Sequence, residues 1–229
     1  MKRSERLVDM TKYLMERPHT LIALPFFAKR YGAAKSSISE DLAILKHTLA
    51  SNQDGVLETV AGAAGGVRYI PFLGQKHAEK YLSDLSSRIE DPSRILAGGF
   101  VYLSDILGDT QDLRRIGELI ATRYAYEDVD AVMTVETKGI ALAQAIARYL
   151  NVPFVTARKR SKVTEGATVS VNYISSSLSR VSKMELPTRA LKKGSKVLIV
   201  DDFMKGGGTL TGMEELVKEF DGTIAGVCV

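Results

Sequence analysis

Asp201 and Asp202 stand side by side, directly after four apolar residues, Val197 to Val200, and just before Gly206, Gly207, Gly208 and Thr209. An unbroken apolar, mostly β-branched run of this length reads as a strand buried on both faces, as in a parallel sheet. The two acids then fall at its carboxyl end, the edge where open α/β sheets bind ligands. Glycines let backbone N–H groups close around an anion. The helix expected over 210–220, with Thr209 or alternatively Thr211 as N-cap, adds partial positive charge at its start. Phe203, Met204 and Lys205 complete the loop. Carboxylates repel phosphate, so this pair suits the hydroxyls of a sugar, or a Mg²⁺ that itself holds pyrophosphate. The plainer alternative, a buried strand and an empty turn, leaves three glycines after two acids unexplained.

A second strand-loop-helix crossing lies upstream. The apolar run 131–135 leads into Glu136, Thr137, Lys138 and Gly139, and a helix is expected over 140–150. That is a second anion site, with Lys138 as a point charge, unless the lysine merely sits on a solvated turn. Arg158, Lys159, Arg160 and Lys162 put four cations in five residues, which by itself is usually a solvated face. Residues 169–174 alternate apolar and polar types, as in one arm of a hairpin. Positioning these loops needs alternating strands and helices. Strands are expected at 98–103, 131–135, from 154 and at 197–200, with a helix over 112–124. This order predicts a parallel sheet covered by helices.

The first 74 residues read differently. Apolar residues at 7, 10, 14 and 15 give a helical face over 4–16, with Ser4 as cap and Pro18 as stop. A second helix over 24–31 ends at Gly32, and a third has its apolar face at Ile38, Leu42 and Leu45. Two helices across a short glycine-containing turn make a helix-turn-helix candidate. In that motif the second helix enters the major groove by its N-terminal end, which here offers Lys35, Ser36, Ser37 and Ser39. Runs at 55–61 and 66–71, joined by Gly62 to Gly65, form a hairpin in the place of a wing, with Arg68 as its cation. Lys2, Arg3 and Arg6 are candidates for backbone phosphates. A helical scaffold docked on the larger domain, with solvated terminal cations, is the alternative. A domain boundary is expected at 71–74, giving domains 1–74 and 75–229, with an amphipathic linker or interface helix over 75–89.

Composition fits this division. Residues 1–74 carry ten Lys/Arg against seven Asp/Glu, and residues 75–229 carry twenty-one against twenty. A small basic N-terminal unit is compatible with DNA. Cys228 is the only cysteine of the 229 residues, which excludes a disulfide framework and a cysteine metal site and suits a reducing cytoplasm. No apolar run is long enough to cross a bilayer, so no membrane partner is expected.

The 197–209 run resembles the phosphoribosyl pyrophosphate (PRPP) motif of type I phosphoribosyltransferases: four apolar residues, two acids, then a small-residue loop ending in Thr. Many of those enzymes carry Thr-Gly-Gly-Thr where this chain has Gly206-Gly207-Gly208-Thr209. The hydroxyl missing at 206 removes one expected phosphate contact. Residues 136–139 resemble the same family's pyrophosphate loop. The segment from Arg158 and Lys159 to Tyr173 resembles the loop that folds over the active site in adenine- and xanthine-type enzymes, which implies that these two cations lie nearest the pyrophosphate. Tyr102 lies where the family places a hood over the base, and is a candidate stacking residue.

With the winged helix in front, residues 1–229 are similar to the purine operon repressors of Gram-positive bacteria. The resemblance implies an N-terminal winged helix-turn-helix domain joined to a type I phosphoribosyltransferase-like parallel-sheet domain, working as a homodimer. It implies a sensor rather than an enzyme: a repressor bound to operator DNA, released when PRPP occupies residues 201–209. No obligatory cofactor is expected; PRPP is the effector, accompanied by Mg²⁺, and another phosphorylated purine nucleotide suits the same anion site. Residues 222–229 read as a strand that has just begun, so a C-terminal truncation is expected. The rival expectations are an active purine phosphoribosyltransferase with an accessory domain, and a PRPP-binding protein whose first domain contacts protein.

Overall fold

The computed structural model describes every residue except 63, 161, 162 and 176–179, together with all side chains of the described residues but those of 163, 175 and 180. The N-terminal unit contains α1 (Arg3–Met15), α2 (Leu24–Tyr31), α3 (Lys35–Asn52), β1 (Val56–Val60) and β2 (Gly66–Ile70). Helical spacing brings Ile38, Leu42 and Leu45 onto one face of α3. There they are buried with Met10 and Leu14 of α1, Phe27 of α2 and Leu57 and Val67 of the hairpin. Gly32, at φ 58°, ends α2 in the left-handed region that a side chain disfavours. Strands β1 and β2 pair antiparallel with Val56 opposite Ile70. The expected order of three helices and a wing is therefore present. The cap is not where expected: Ser4 lies inside α1, and Glu5 reaches back to accept the Lys2 N–H at 2.8 Å.

The tie between α1 and α3 is ionic. Asp41 on α3 is fully buried; it accepts from Arg3 Nε at 3.0 Å and also pairs with Arg6. Burial alone would raise the Asp41 carboxyl, but the bonds from Arg6 and Arg3 outweigh it and hold its pKa below the usual 3.8. Arg6 and Arg3 were expected at DNA phosphates. The structure corrects this for Arg6, whose side chain is 12% exposed and committed to Asp41, while Arg3 is shared between Asp41 and Glu40.

The 71–74 junction is packed rather than free. Pro71, Leu73 and Gly74 are buried, and the Leu73 N–H donates to Thr122 Oγ1 at 2.9 Å. Asn151 Nδ2 donates to Thr20 Oγ1 at 3.2 Å, a second link between the two units. α4 (Gln75–Ile89) follows, and its Arg88 grips Asp112 with two bonds, at 2.9 and 2.6 Å.

The expected strand over 98–103 is absent. In its place stand two short strands, β3 (Ile95–Leu96) and β4 (Phe100–Val101), paired antiparallel. Gly98 and Gly99, at φ 81° and 75°, turn the chain back between them, which no continuous strand allows. The remaining elements are α5 (Thr110–Arg123), β5 (Ala131–Val135), α6 (Gly139–Leu150), β6 (Phe154–Ala157), β7 (Thr168–Ser175), β8 (Arg180–Pro187), β9 (Lys196–Val200), α7 (Gly208–Glu219) and β10 (Thr223–Cys228). Four strands form a parallel sheet in the order β10-β9-β5-β6.

Both faces of that sheet are covered, which is why its strands read as continuous apolar runs. Val197 and Ile199 point to the side packed by α7 and the β7–β8 hairpin, with Met213, Leu216, Tyr173 and Met184. Leu198 and Val200 point to the other side, against Leu142 and Ile146 of α6 and Ala121 of α5.

Replacing Asp41 by Ala should remove roughly 3 kcal/mol from the N-terminal unit, because it leaves the mostly buried Arg6 without its partner and unties α1 from α3. The wild-type contribution is complete at neutral pH and is lost as pH falls through the depressed Asp41 pKa. Thermal melts of the two proteins at neutral and acid pH check this. Equal melting of both at neutral pH would remove Asp41 as the tie.

Candidate effector cleft and DNA-facing end

The carboxyl edge of β9 opens into a cleft of about 450 Å³. Its wall contains the whole expected loop, Asp201, Asp202, Phe203, Met204, Lys205, Gly206, Gly207, Gly208 and Thr209, and also Lys138 from the 136–139 loop. The parallel pairing of β5 with β9 brings these two loops together, although more than sixty residues separate them. Thr209 is not the cap of α7. The helix starts at Gly208 after Gly207, at φ 75°, and no side chain caps it. Only a residue that tolerates positive φ turns the chain into the helix here, so the first N–H groups of α7 remain directed at the cleft end.

Asp201 is 8% exposed, and its Oδ1 accepts the Asp202 N–H at 3.0 Å. Burial raises its carboxyl to about 6; the Asp202 N–H works against this and the neighbouring Asp202 charge adds to it. Since the folded pKa lies above the ordinary 3.8, the folded chain holds a proton that the unfolded chain has lost, and stability falls as pH rises between those values. A cation or hydroxyl donor at the pair offsets that cost. Two adjacent carboxylates, with further ligands from a phosphorylated molecule, are a donor set that fits Mg²⁺. The three-donor His/Cys/Asp/Glu cluster of a protein-only metal centre is absent among the described residues.

Gly139 stands buried at the start of α6. A Cβ there would lie 2.1 Å from Thr134 Oγ1 of β5, so glycine is needed for the turn from β5 into α6; Asp201 Oδ1, at 3.4 Å, would be at ordinary contact distance. Thr137 is exposed beside it. Arg158 and Lys159 lie off the wall: Arg158 is shared between Glu136 and Glu165, and the Lys159 N–H donates to Glu136. Lys162 lies outside the described residues. Tyr102 is also off the wall; its backbone is held by Arg94, and its side chain is 45% exposed.

The aromatic wall of the cleft comes instead from the β3–β4 hairpin, which the expected single strand does not foresee. Leu96, Ala97, Phe100 and Val101 line the cleft. The Phe100 ring lies 5.7 Å from that of Phe203, and Lys205 Nζ donates to the Gly98 carbonyl at 2.7 Å while sitting 4.8 Å from the Phe100 centroid. The available signal was the Gly98-Gly99 pair between two apolar dipeptides, a hairpin pattern rather than a strand.

In the N-terminal unit, Lys35, Ser36 and Ser39 are exposed on the first turns of α3 and Ser37 is half-buried. Ser39 Oγ donates to the Lys35 carbonyl at 3.0 Å. Lys2, the residue that precedes α1, is also exposed. Arg68 departs from expectation. Its Nε donates to Glu58 across the hairpin at 2.7 Å, and it lines a crevice with His19 and Tyr126, against the larger unit.

A three-helix unit with a β-hairpin wing, followed by a parallel sheet whose central strand ends in an acid pair and an anion loop, defines a DNA-binding module fused to a type I phosphoribosyltransferase fold. Residues 2–71 match the family described as bacterial purine repressor, N-terminal, and residues 104–229 match the phosphoribosyl transferase domain. The purine biosynthesis transcriptional repressor of Bacillus subtilis is 54% identical over 228 residues, covering 100% of this chain and 80% of that protein. The purine biosynthesis transcriptional activator of Lactococcus lactis is 49% identical over 229 residues, covering 100% of this chain and 84% of that protein. Among solved structures, the adenine phosphoribosyltransferase of Rhodothermus marinus aligns with a TM-score of 0.56 at 25% identity, over 65% of this chain and 84% of that one. The chain belongs to the purine operon repressor family.

Two outcomes are expected. Affinity of the cleft for a magnesium diphosphate should fall below about pH 6, where Asp201 takes up its proton, by up to roughly tenfold per pH unit. Calorimetric titrations across that range check it, and a flat profile would take Asp201 out of the binding step. Lys35→Ala should weaken DNA binding on any sequence and lower the salt slope by about one, as for one lost phosphate contact. Arg68→Ala should leave that slope unchanged; a matching drop would return Arg68 to the DNA side.

Proposed function

We propose that the chain is a transcriptional repressor of purine biosynthesis genes that binds operator DNA through its winged helix and releases it when PRPP fills the cleft. The observation that carries this reading is the Asp201–Thr209 wall, intact in a chain that also presents the exposed, lysine-bearing end of α3. In this reading Asp201 and Asp202 accept the ribose hydroxyls and help hold Mg²⁺. The Gly206–Thr209 amides and the start of α7 take the 5′-phosphate, and Thr137, Lys138 and Gly139 take the pyrophosphate. Mg²⁺, when bound, neutralises diphosphate charge. The apolar wall of Phe100 and Phe203 also suits the base of a phosphorylated purine nucleotide.

PRPP alters DNA affinity only if it binds the DNA-competent and DNA-incompetent states unequally. The packed 71–74 junction and the Thr20–Asn151 contact give the two units a physical route for that difference. A cytoplasmic homodimer is part of the proposal; exposed apolar side chains on α4 and the hood, Leu82 at 46% and Ile95 at 66%, offer surface for it. Repression rather than activation rests on the higher identity to the relative named a repressor, 54% against 49%.

The second reading is an active purine phosphoribosyltransferase. It is favoured by the 33% identity, over 152 residues and 64% of this chain, to the adenine phosphoribosyltransferase of Geobacter metallireducens. Against it, Gly206 lacks the hydroxyl expected at that place in the loop.

Titration of operator DNA from a purine-biosynthesis promoter, with and without Mg²⁺ and PRPP, tests the proposal. The wild type should bind and be released by PRPP, whereas Asp202→Ala should bind and ignore PRPP. DNA binding that PRPP leaves untouched in the wild type would defeat the sensor reading. Pyrophosphate release from PRPP and a purine base would favour the transferase.

A further inference from the structure

Arg158 divides its guanidinium between two carboxylates. Nη1 donates to Glu136 Oε2 at 3.0 Å and Nε donates to Glu165 Oε1 at 3.1 Å. The other oxygen of Glu136 accepts the Lys159 N–H at 3.1 Å. The main chain of Arg158 is fixed as well, exchanging two bonds with Glu185 of β8 at 2.9 and 2.8 Å. Arg158, Glu136 and Glu165 expose only 26%, 27% and 25% of their side chains, so water screens these bonds less than it would at an open surface.

Glu136 is also the residue directly before Thr137, Lys138 and Gly139. A diphosphate seated on that loop brings several negative charges beside a carboxylate. The donors that would neutralise it, the Arg158 guanidinium and the Lys159 amide, are the ones Glu136 already holds. A carboxylate and a phosphate compete for the same planar donor fork, and like charges at such range repel.

We propose that Glu136 is an internal competitor for the diphosphate: it occupies Arg158 and the Lys159 amide while the site is empty and yields them when a diphosphate binds. The inference rests on the PRPP reading and adds two things to it. First, a ligand carrying a single phosphate on the Gly206–Thr209 loop does not contest Glu136, so the exchange discriminates PRPP from pentose monophosphates. Second, the exchange frees residues 158 and 159 from β5's loop while the backbone tie of Arg158 to β8 persists. Occupancy is thereby transmitted to the β7–β8 hairpin, which packs on α7 through Tyr173 and Met184.

Isothermal titration of wild type and Glu136→Gln with PRPP, inorganic pyrophosphate and ribose 5-phosphate tests this. Glutamine keeps an acceptor for the Lys159 N–H and removes the competing charge. PRPP and pyrophosphate should bind about fivefold more tightly, the scale of one partly exposed charge pair, and ribose 5-phosphate should be unaffected. In the operator titration, Glu136→Gln should need proportionately less PRPP for release. Unchanged or weaker PRPP and pyrophosphate binding in the variant, with normal binding in wild type, overturns the competitor role alone. A wild type that binds no PRPP sinks the sensor reading and this inference together. Glu165→Gln, which removes the other carboxylate on Arg158, should shift affinity in the same direction and serves if Glu136→Gln melts early. A loss of affinity there also counts against competition.

Discussion

The interaction on which the ligand-binding half depends is the desolvation of one carboxylate. Asp201 is carried to the rim of the sheet by β9, whose residues 197–200 are entirely buried, and its own burial raises its pKa to about 6. An acid held this way is poorly satisfied by the protein alone. Its donor from the main chain is the N–H of its neighbour Asp202, at 3.0 Å. The surroundings supply what complements it: cations at Lys138 and Lys159, an anion-seeking loop and the start of α7. The free chain thus holds an unfavourable charge that a cation or a hydroxyl donor at the pair would relieve.

The same logic of committed and uncommitted charge organises the DNA-facing unit. Arg6 and Arg3 are spent on Asp41, and Arg68 on Glu58. These pairs align α1 with α3 and tie the two strands of the wing to each other. Lys35, without an ion pair among the described residues, stands exposed at the start of α3. A basic composition therefore overstates the charge that reaches a phosphate. Beside the 136–139 loop Arg158 and Glu136 repeat the theme, a cation paired with a carboxylate.

The two halves are joined by buried backbone rather than by a free tether. Leu73 donates to Thr122 on α5, whose partner α6 carries Asn151 at its end toward Thr20. α5 and α6 also form the layer that covers Leu198 and Val200 of β9. The strand that presents the acid pair and the unit that carries α3 thus share a packed layer, through which a change at one end has contacts to act on at the other.

The sequence by itself determined the elements whose pattern is local. Val197–Val200 could only be a doubly buried strand, Gly32 could end α2, and the spacing of Ile38, Leu42 and Leu45 set the core face of α3. The acid pair and glycine loop announced an anion site because their chemistry is read from neighbouring residues. What depends on partners distant in the chain was decided by the tertiary structure. Asp41 lies thirty-eight residues from Arg3, and nothing local shows that it will claim two arginines. Arg158 and Glu136 meet only because β5 and β6 run side by side. Phe100 rather than Tyr102 lines the cleft because Gly98 and Gly99 fold Phe100 back into a short strand that ends at Val101, before Tyr102. Charge type and hydrophobic period are properties of residues; which charge is already neutralised, and which side chain faces a cavity, are properties of the packing.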